Sequence, residues 1–276
     1  MRFSKMHGLG NDFILFESSE PERDFSREAI RLCHRQTGIG GDGIIAVLPS
    51  SLADFRMRII NCDGSEADMC GNGIRCFAKF VYEQGLLRRE SFSIETRAGI
   101  IRPRLLVERG RVTRVKVDMG EPKLDRKLVP MEGPGGMVID EPLMVDGETW
   151  RITSMSMTIP HTVVFVPQVK EETMLTVGPK IEKHVKFPRK TNVNFVQVID
   201  RDTIRVRTWE RGAGATLACG TGACASAVAS FLNGKTERNV TVKLLLGDLF
   251  IEYTRDGTVY MTGPAEETFR GETELW

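Results

Sequence analysis

Two Cys-Gly-x-Gly stretches, CGNG at 70–73 and CGTG at 219–222, stand 149 residues apart, and the text around them matches at the same offset. Each opens a run of apolar and small residues, IRCFAKFVYEQG and ACASAVASFLNG, that ends on a glycine 15 residues past its cysteine (Gly85 and Gly234). That distance suits a three-turn helix with a glycine beyond its C-cap. Side chains that are apolar or small nearly all round predict that both helices are buried. Upstream, FRMRIIN lies on IRVRTWE at offset 149, which sets Asn61 against Glu210, and NDFILF (11–16) lies on PHTVVF (160–165). Downstream, FSIETRAGIIRPRL and VTVKLLLGDLFIEY are β-rich runs broken by Gly99 and Gly247, at offset 148. So many segments on one offset describe a duplicated unit, with copies over 1–118 and 150–265.

Many short β-branched strands surround one buried helix in each copy. The expected fold is α+β: two pseudo-symmetric duplicated domains, each a strongly curved β-sheet or barrel wrapped around a central buried helix. Residues 119–149, rich in Pro and Gly, are expected as an irregular connection into a second domain covering 119–264. No dinucleotide-binding GxGxxG follows a strand. GIGGDG at 38–43 shares its glycines only loosely and is read as a loop or hairpin.

The charge balance is nearly even, with 38 Lys and Arg against 37 Asp and Glu, so no global field points to nucleic acid or an anionic membrane. The most basic stretch, KIEKHVKFPRK at 180–190, is expected as a solvated loop. Neither a secretory leader nor a membrane span is expected from this sequence. Six cysteines without a disulfide-framework spacing or a CxxC pair suggest reduced thiols, no metal site and a cytoplasmic setting.

A cysteine at a helix start feels the positive end of the macrodipole, which favours the thiolate. The Gly-x-Gly that follows leaves backbone N–H groups open to an anion such as a carboxylate. If Cys70 and Cys219 face one small ligand, one thiolate can remove a proton from a stereocentre while the other thiol delivers one to the opposite face. A redox-switch disulfide between the pair is the rival reading. Cys33, Cys76 and Cys224 are read as small core hydrophobes, with Cys62 open. Asn61, Asp63, Glu66 and Asp68 before the first thiol, and Glu210 and Arg211 before the second, are candidate ligand contacts.

KMHGLGNDF, NCDGSEADMCGNGIRCFA, KTNVNFV and WERGAGATLACGTGACA resemble the signatures of the diaminopimelate epimerase family, over the length of the chain from Phe3. The resemblance implies a cofactor-independent isomerase that interconverts LL- and meso-diaminopimelate with a two-cysteine acid–base pair, in lysine and peptidoglycan precursor synthesis. It implies that Cys70 and Cys219 are catalytic and that Gly71, Asn72, Gly220 and Thr221 hold the carboxylate at the reacting centre. Asn11, Asn61, Asn192, Glu210 and Arg211 would recognise the substrate, chiefly its distal end, while His161 and Glu210 tune the thiols. It also implies that the C-terminal strand, 265–276, returns to the first domain. Likeness to proline racemase and to the phenazine-pathway isomerase is at the level of fold only.

The family usually reads Ser-Met-Gly-Asn-Pro-His where this chain has SMTIPH at 156–161, so Ile159 replaces a polar distal contact. Ala215 stands where GAGET is the commoner text. Two alternatives therefore stay beside the epimerase: a racemase of another amino acid in the same fold, and a non-catalytic amino-acid-binding or thiol-redox module. The expected partner is a small amino-acid substrate, with no nucleic acid and no membrane, and the expected assembly is a homodimer.

Overall fold

A computed structural model describes residues 1–274. In chain order the first copy comprises β1 (Arg2–Gly8), β2 (Asn11–Glu17), α1 (Ser26–Cys33), β3 (Gly43–Leu48), β4 (Phe55–Asn61), β5 (Glu66–Ala67), α2 (Gly71–Glu83), β6 (Ile94–Thr96), β7 (Gly99–Ile101), β8 (Arg104–Glu108) and β9 (Arg111–Asp118). The second comprises β10 (Val138–Val145), β11 (Glu148–Met157), β12 (Ile159–Phe165), α3 (Glu171–Glu182), β13 (Asn192–Val198), β14 (Thr203–Glu210), β15 (Gly214–Thr216), α4 (Gly220–Leu232), β16 (Asn239–Leu244), β17 (Gly247–Tyr253) and β18 (Val259–Gly263). A last strand, β19 (Glu266–Glu272), follows. The chain divides into two compact units, Met1–Asp118 with the segment from Thr262 onward, and Met119–Met261.

The first unit's sheet runs β19-β1-β2-β3-β4-β6-β7, and the second runs β10-β11-β12-β13-β14-β16-β17-β18. The pairing is repeated strand for strand. β2 and β3 are parallel, as are β12 and β13; β4 and β6 are parallel, as are β14 and β16. A parallel pair cannot be closed by a tight turn and needs a long crossover. This explains a difference from the sequence reading, which gave each copy one helix. α1 and α3 span the first crossover of each unit, and α2 and α4 the second.

The central strands of the two sheets, β2 and β3 in the first and β12 and β13 in the second, are buried on both faces. In the first unit Ile14, Phe16, Ile44, Ala46, Leu48 and Ile60 pack with Phe25, Ala29 and Leu32 on the α1 side. Ile45 and Ile59 point the other way, toward Gly73 of α2. A strand covered twice reads as an unbroken apolar run, as GIIAVL does in β3. α4 is buried along most of its length, and α2 carries a largely buried ion pair, Lys79–Glu83 at 2.7 Å, whose two members bond the Val112 backbone of β9. Both helices end alike. Gly85 (φ 77°) and Gly234 (φ 65°) take the left-handed conformation that glycine adopts without strain, and Leu86 and Lys235 donate back to the Val81 and Ser230 carbonyls.

Two expected loops are partly ordered structure. The connection at 119–149 holds β10 and the start of β11, because alternate side chains such as Leu143 and Val145 enter the second core. The basic stretch 180–190 begins inside α3, and Ile181 and Phe187 are core residues, so it is anchored rather than free in solvent. β19 lies antiparallel to β1 with Ser4 opposite Arg270. Residues 275 and 276 of the expected C-terminal return lie outside the described residues. All six cysteines are free thiols; Cys33, Cys76 and Cys224 are buried, and Cys62 is exposed.

Candidate active site

In the first unit, Cys70 is the N-cap of α2 and accepts a hydrogen bond from the Gly73 N–H at 3.5 Å. Its Sγ donates to Asn11 Oδ1 at 3.5 Å, and Asn72 Nδ2 donates to the same oxygen at 3.1 Å. Asn11 is oriented from behind, since its Nδ2 donates to Asp42 Oδ2 at 2.8 Å. Asp42 sits in the GIGGDG loop and is ion-paired to Arg35 at 2.8 Å. The β1–β2 turn lies hard against the start of α2. A Cβ on Gly8 would sit 2.8 Å from Arg75 Nη2 and 3.2 Å from Asn72 Cβ, so this position takes no side chain. Arg75 is fully buried and donates from Nε to the Pro264 carbonyl and from Nη1 to that of Gly71.

Asn61 ends β4 and donates to Ser65 Oγ at 3.0 Å. The neighbouring acids have partners within the first unit. Glu66 accepts Arg58 in a two-pronged pair at 2.8 and 2.9 Å, Asp63 closes the turn onto Ser65, and Asp68 faces Arg97 at 3.3 Å.

In the second unit, Cys219 is the N-cap of α4, and Thr221 Oγ1 lies 3.5 Å from its sulfur. Glu210, at the end of β14, accepts from Thr216 Oγ1 at 2.6 Å and faces the Cys219 thiol. Asn192 and His161 are register partners on the parallel strands β13 and β12, so both side chains leave the same face of the sheet. Asn192 Oδ1 accepts the Arg211 backbone N–H at 2.7 Å, while the Arg211 guanidinium donates to the Arg189 carbonyl. His161 is fully buried, with Nδ1 3.2 Å from Asn194 Nδ2.

The electrostatics of this half run against the simplest expectation from a helix start. Burial pushes the Cys219 thiol well above the usual cysteine range, and the Glu210 charge pushes it further. Desolvation outweighs the dipole here. Burial also raises Glu210, although Thr216 and Cys219 pull it back. Two acids in a dry site resist carrying two negative charges together. His161 is lowered to about 3, first by burial and then by the Arg211 charge, so its ring is neutral at neutral pH. No group of three His, Cys, Asp or Glu able to hold a metal ion occurs among the described residues.

Sequence reasoning missed Asn194, Asp42 and Arg75. Asn194 was legible in principle, since it lies two residues from Asn192 and a strand repeats its faces every second residue. Asp42 lay in a motif read only as a loop.

A family model described as diaminopimelate epimerase matches residues 3–124 and 153–268. The chain belongs to the diaminopimelate epimerase family. It is 57% identical over 278 residues to the diaminopimelate epimerase of Moorella thermoacetica, covering 100% of both chains. With that of Methanococcus maripaludis it shares 48% identity over 277 residues, again covering 100% of both. Among solved structures it is similar to a probable proline racemase from Agrobacterium radiobacter (TM-score 0.69, 15% identity, covering 100% of this chain and 93% of that one). It is similar also to a phenazine biosynthesis protein of Bacillus anthracis (TM-score 0.68, 18% identity, covering 99% and 98%). These last likenesses establish the common fold, two repeated α+β units.

Thr158, Ile159 and Ala215 have definite places in the β11–β12 hairpin and β15. Thr158 is the apex of the β11–β12 hairpin at φ 69°, left-handed backbone that a β-branched residue adopts under strain. Ile159 pairs with Met157 and lies two residues before His161, on the same face of β12. Ala215 is exposed and pairs with Trp209.

Proposed function

We propose that the protein is an isomerase that interconverts LL- and meso-diaminopimelate, with Cys70 and Cys219 as the acid–base pair. The observation that carries this reading is the repetition of one device. A cysteine stands at the N-cap position of a buried crossover helix in both units, beside polar side chains held by their neighbours. One sulfur, as thiolate, takes the α-proton; the other, as thiol, delivers a proton to the opposite face of the same carbon. Atoms balance without a cofactor, and the thiol and thiolate roles are exchanged at the end of each turnover.

The α-carboxylate is held by the helix-start groups of Gly71, Asn72, Gly220 and Thr221. Charge that builds on the carboxylate as the proton leaves is met by N–H donors already in place. Asn11, Asn61, Asn192, Glu210 and Arg211 recognise the remainder of the substrate, and His161 and Glu210 adjust the proton affinity of the sulfurs. The enzyme serves lysine and peptidoglycan precursor synthesis, in the cytoplasm, as a homodimer. The family membership and the full-length identity to diaminopimelate epimerases support the substrate.

The test uses reduced protein in D₂O, offered LL-diaminopimelate beside a panel of L-amino acids, with deuterium and chirality followed at the α-carbon. Deuterated meso product from diaminopimelate, far faster than exchange in any other amino acid, is the expected result. Cys70→Ala and Cys219→Ala should each lower turnover at least about a hundredfold with the fold intact. Full turnover in either variant removes the two-thiol mechanism.

A further inference from the structure

The His161 ring has two nitrogens, and its surroundings distinguish them. We propose that Asn194 is a positioning residue that holds His161 as the Nε2–H tautomer, making His161 a fixed hydrogen-bond donor in the epimerisation and never a proton acceptor. This rests on the function proposed above and assigns the histidine's part in it.

The argument begins with the Asn194 amide, which is fully buried in β13. Its Nδ2 lies 3.5 Å from the Thr162 carbonyl oxygen, a group that only accepts. Its Oδ1 lies 3.0 Å from Thr208 Oγ1, which donates to it. Turning the amide over would set Oδ1 against the Thr162 carbonyl, lone pair to lone pair. The Thr208 hydroxyl can donate or accept, so it is the Thr162 carbonyl, a partner other than the histidine, that favours this orientation. With Nδ2 3.2 Å from His161 Nδ1, and an amide nitrogen able only to donate, Nδ1 must present its lone pair. A neutral ring then carries its proton on Nε2, and an imidazolium would set two N–H groups against each other. Complete burial of the ring also favours the neutral form.

Nε2 is buried without a hydrogen-bond partner, and so is Nδ2 of Asn192, the residue opposite His161 in the ladder. Both orphans are donors, because the acceptor end of each side chain is already held, Nδ1 by Asn194 and Asn192 Oδ1 by the Arg211 N–H. Native interiors rarely leave such donors unmet. Two of them on neighbouring strands, facing one way, suit an acceptor that arrives with the reaction: a thiolate or a carboxylate. Asn194 also touches the turn that carries the second thiol. A Cβ on Gly222 would lie 2.5 Å from Asn194 Oδ1 and 3.2 Å from Cys219 Sγ. In this assignment the α-proton moves to sulfur and its replacement comes from sulfur, and His161 stabilises charge without exchanging a proton.

Imidazole ¹⁵N NMR tests this directly, since the chain has only four histidines. In protein carrying ring-labelled histidine, the signals absent from a His161→Asn sample identify His161. They should show a protonated Nε2 and an unprotonated Nδ1. In Asn194→Asp the new carboxylate can only accept, so the ring should turn over to Nδ1–H, with kcat falling about tenfold to a hundredfold and KM changing less than about threefold. A residue that merely fills space would not move the tautomer. An Nδ1–H ring in the wild-type protein overturns the proposal whatever the variant does, even if the variant fails to fold. An unchanged tautomer in folded Asn194→Asp overturns it too. An Nε2–H ring in a protein that does not exchange the α-hydrogen of diaminopimelate instead removes the proposed function.

Discussion

The two Cys-Gly-x-Gly turns are equivalent in sequence, yet their second glycines should respond unequally to a methyl group. At Gly73 an added Cβ meets Ile45 Cδ1 at 3.2 Å, Ile59 Cδ1 at 3.3 Å and Cys70 Cβ at 3.5 Å. The two close atoms are the ends of flexible side chains and can give by a few tenths of an ångström. That squeeze costs about 1 kcal/mol, and the helix propensity of alanine over glycine returns up to about 1. Gly73→Ala should therefore lie within about 1 kcal/mol of wild type. At Gly222 the new Cβ falls 2.5 Å from Asn194 Oδ1, so the amide must retreat by about 0.9 Å to reach ordinary contact. Asn194 has little room, being fully buried and bonded to Thr208 and His161. Overpacking costs about 1–3 kcal/mol, and a broken buried hydrogen bond about 1–3 more. After the propensity gain, Gly222→Ala should lose about 3 kcal/mol and most of its turnover. Urea unfolding of both variants, with α-deuterium exchange at saturating substrate, reads the two effects. Equal destabilisation at the two positions, or a neutral Gly222→Ala, would refute the reasoning from close contacts.

Acid should unfold the protein partly through His161. The folded ring stays neutral down to about 3, whereas the unfolded chain takes up that proton near pH 6.5, so stability present above pH 6.5 is lost as the pH falls. Between pH 6.5 and 5 the wild type should lose about 2 kcal/mol more than His161→Asn, and parallel unfolding curves would contradict this. Thr158→Gly should relieve the left-handed strain at the β11–β12 apex and be neutral or up to about 1 kcal/mol stabilising. Thermal melts check it, and a clear loss of stability would mean that Thr158 makes a contact worth more than its strain.

The duplicated architecture was legible because both copies preserved a cysteine at the N-cap position, a buried helix, a left-handed glycine and a glycine-broken hairpin. α1 and α3 were not legible as a pair. SREAIRLC and EETMLTVGPKIE share a place in the topology and little text, since each helix only has to cover its own sheet face. β10 hid in a Pro- and Gly-rich stretch because its inward residues alternate with exposed ones. At the site, the residues whose side chains match the family text were readable, but those that orient them were not. Asp42 bears on the site through the Asn11 amide it receives, and Asn194 through the His161 ring beside it. A sequence lists side chains; which one fixes another's orientation is decided by strand register.

The same distinction applies to charge. From sequence, Cys70 and Cys219 are twins at helix starts, and the macrodipole favours a thiolate by well under a pKa unit's worth of energy at an exposed end. The structure surrounds them differently. Cys70 is half-buried and shares Asn11 Oδ1 with Asn72, whereas Cys219 is 6% exposed and faces the Glu210 carboxylate. Burial of an ion weighs several times more than a dipole end, so the surroundings and not the helix set the proton affinity of Cys219. A neutral Glu210, or further donors at the sulfur, would favour a thiolate there. The buried N–H groups of His161 and Asn192 are of that kind: neutral, fixed and without a partner of their own. Donors of this sort stabilise an anion without bringing in a mobile proton, so proton transfer can remain a matter for the two sulfurs.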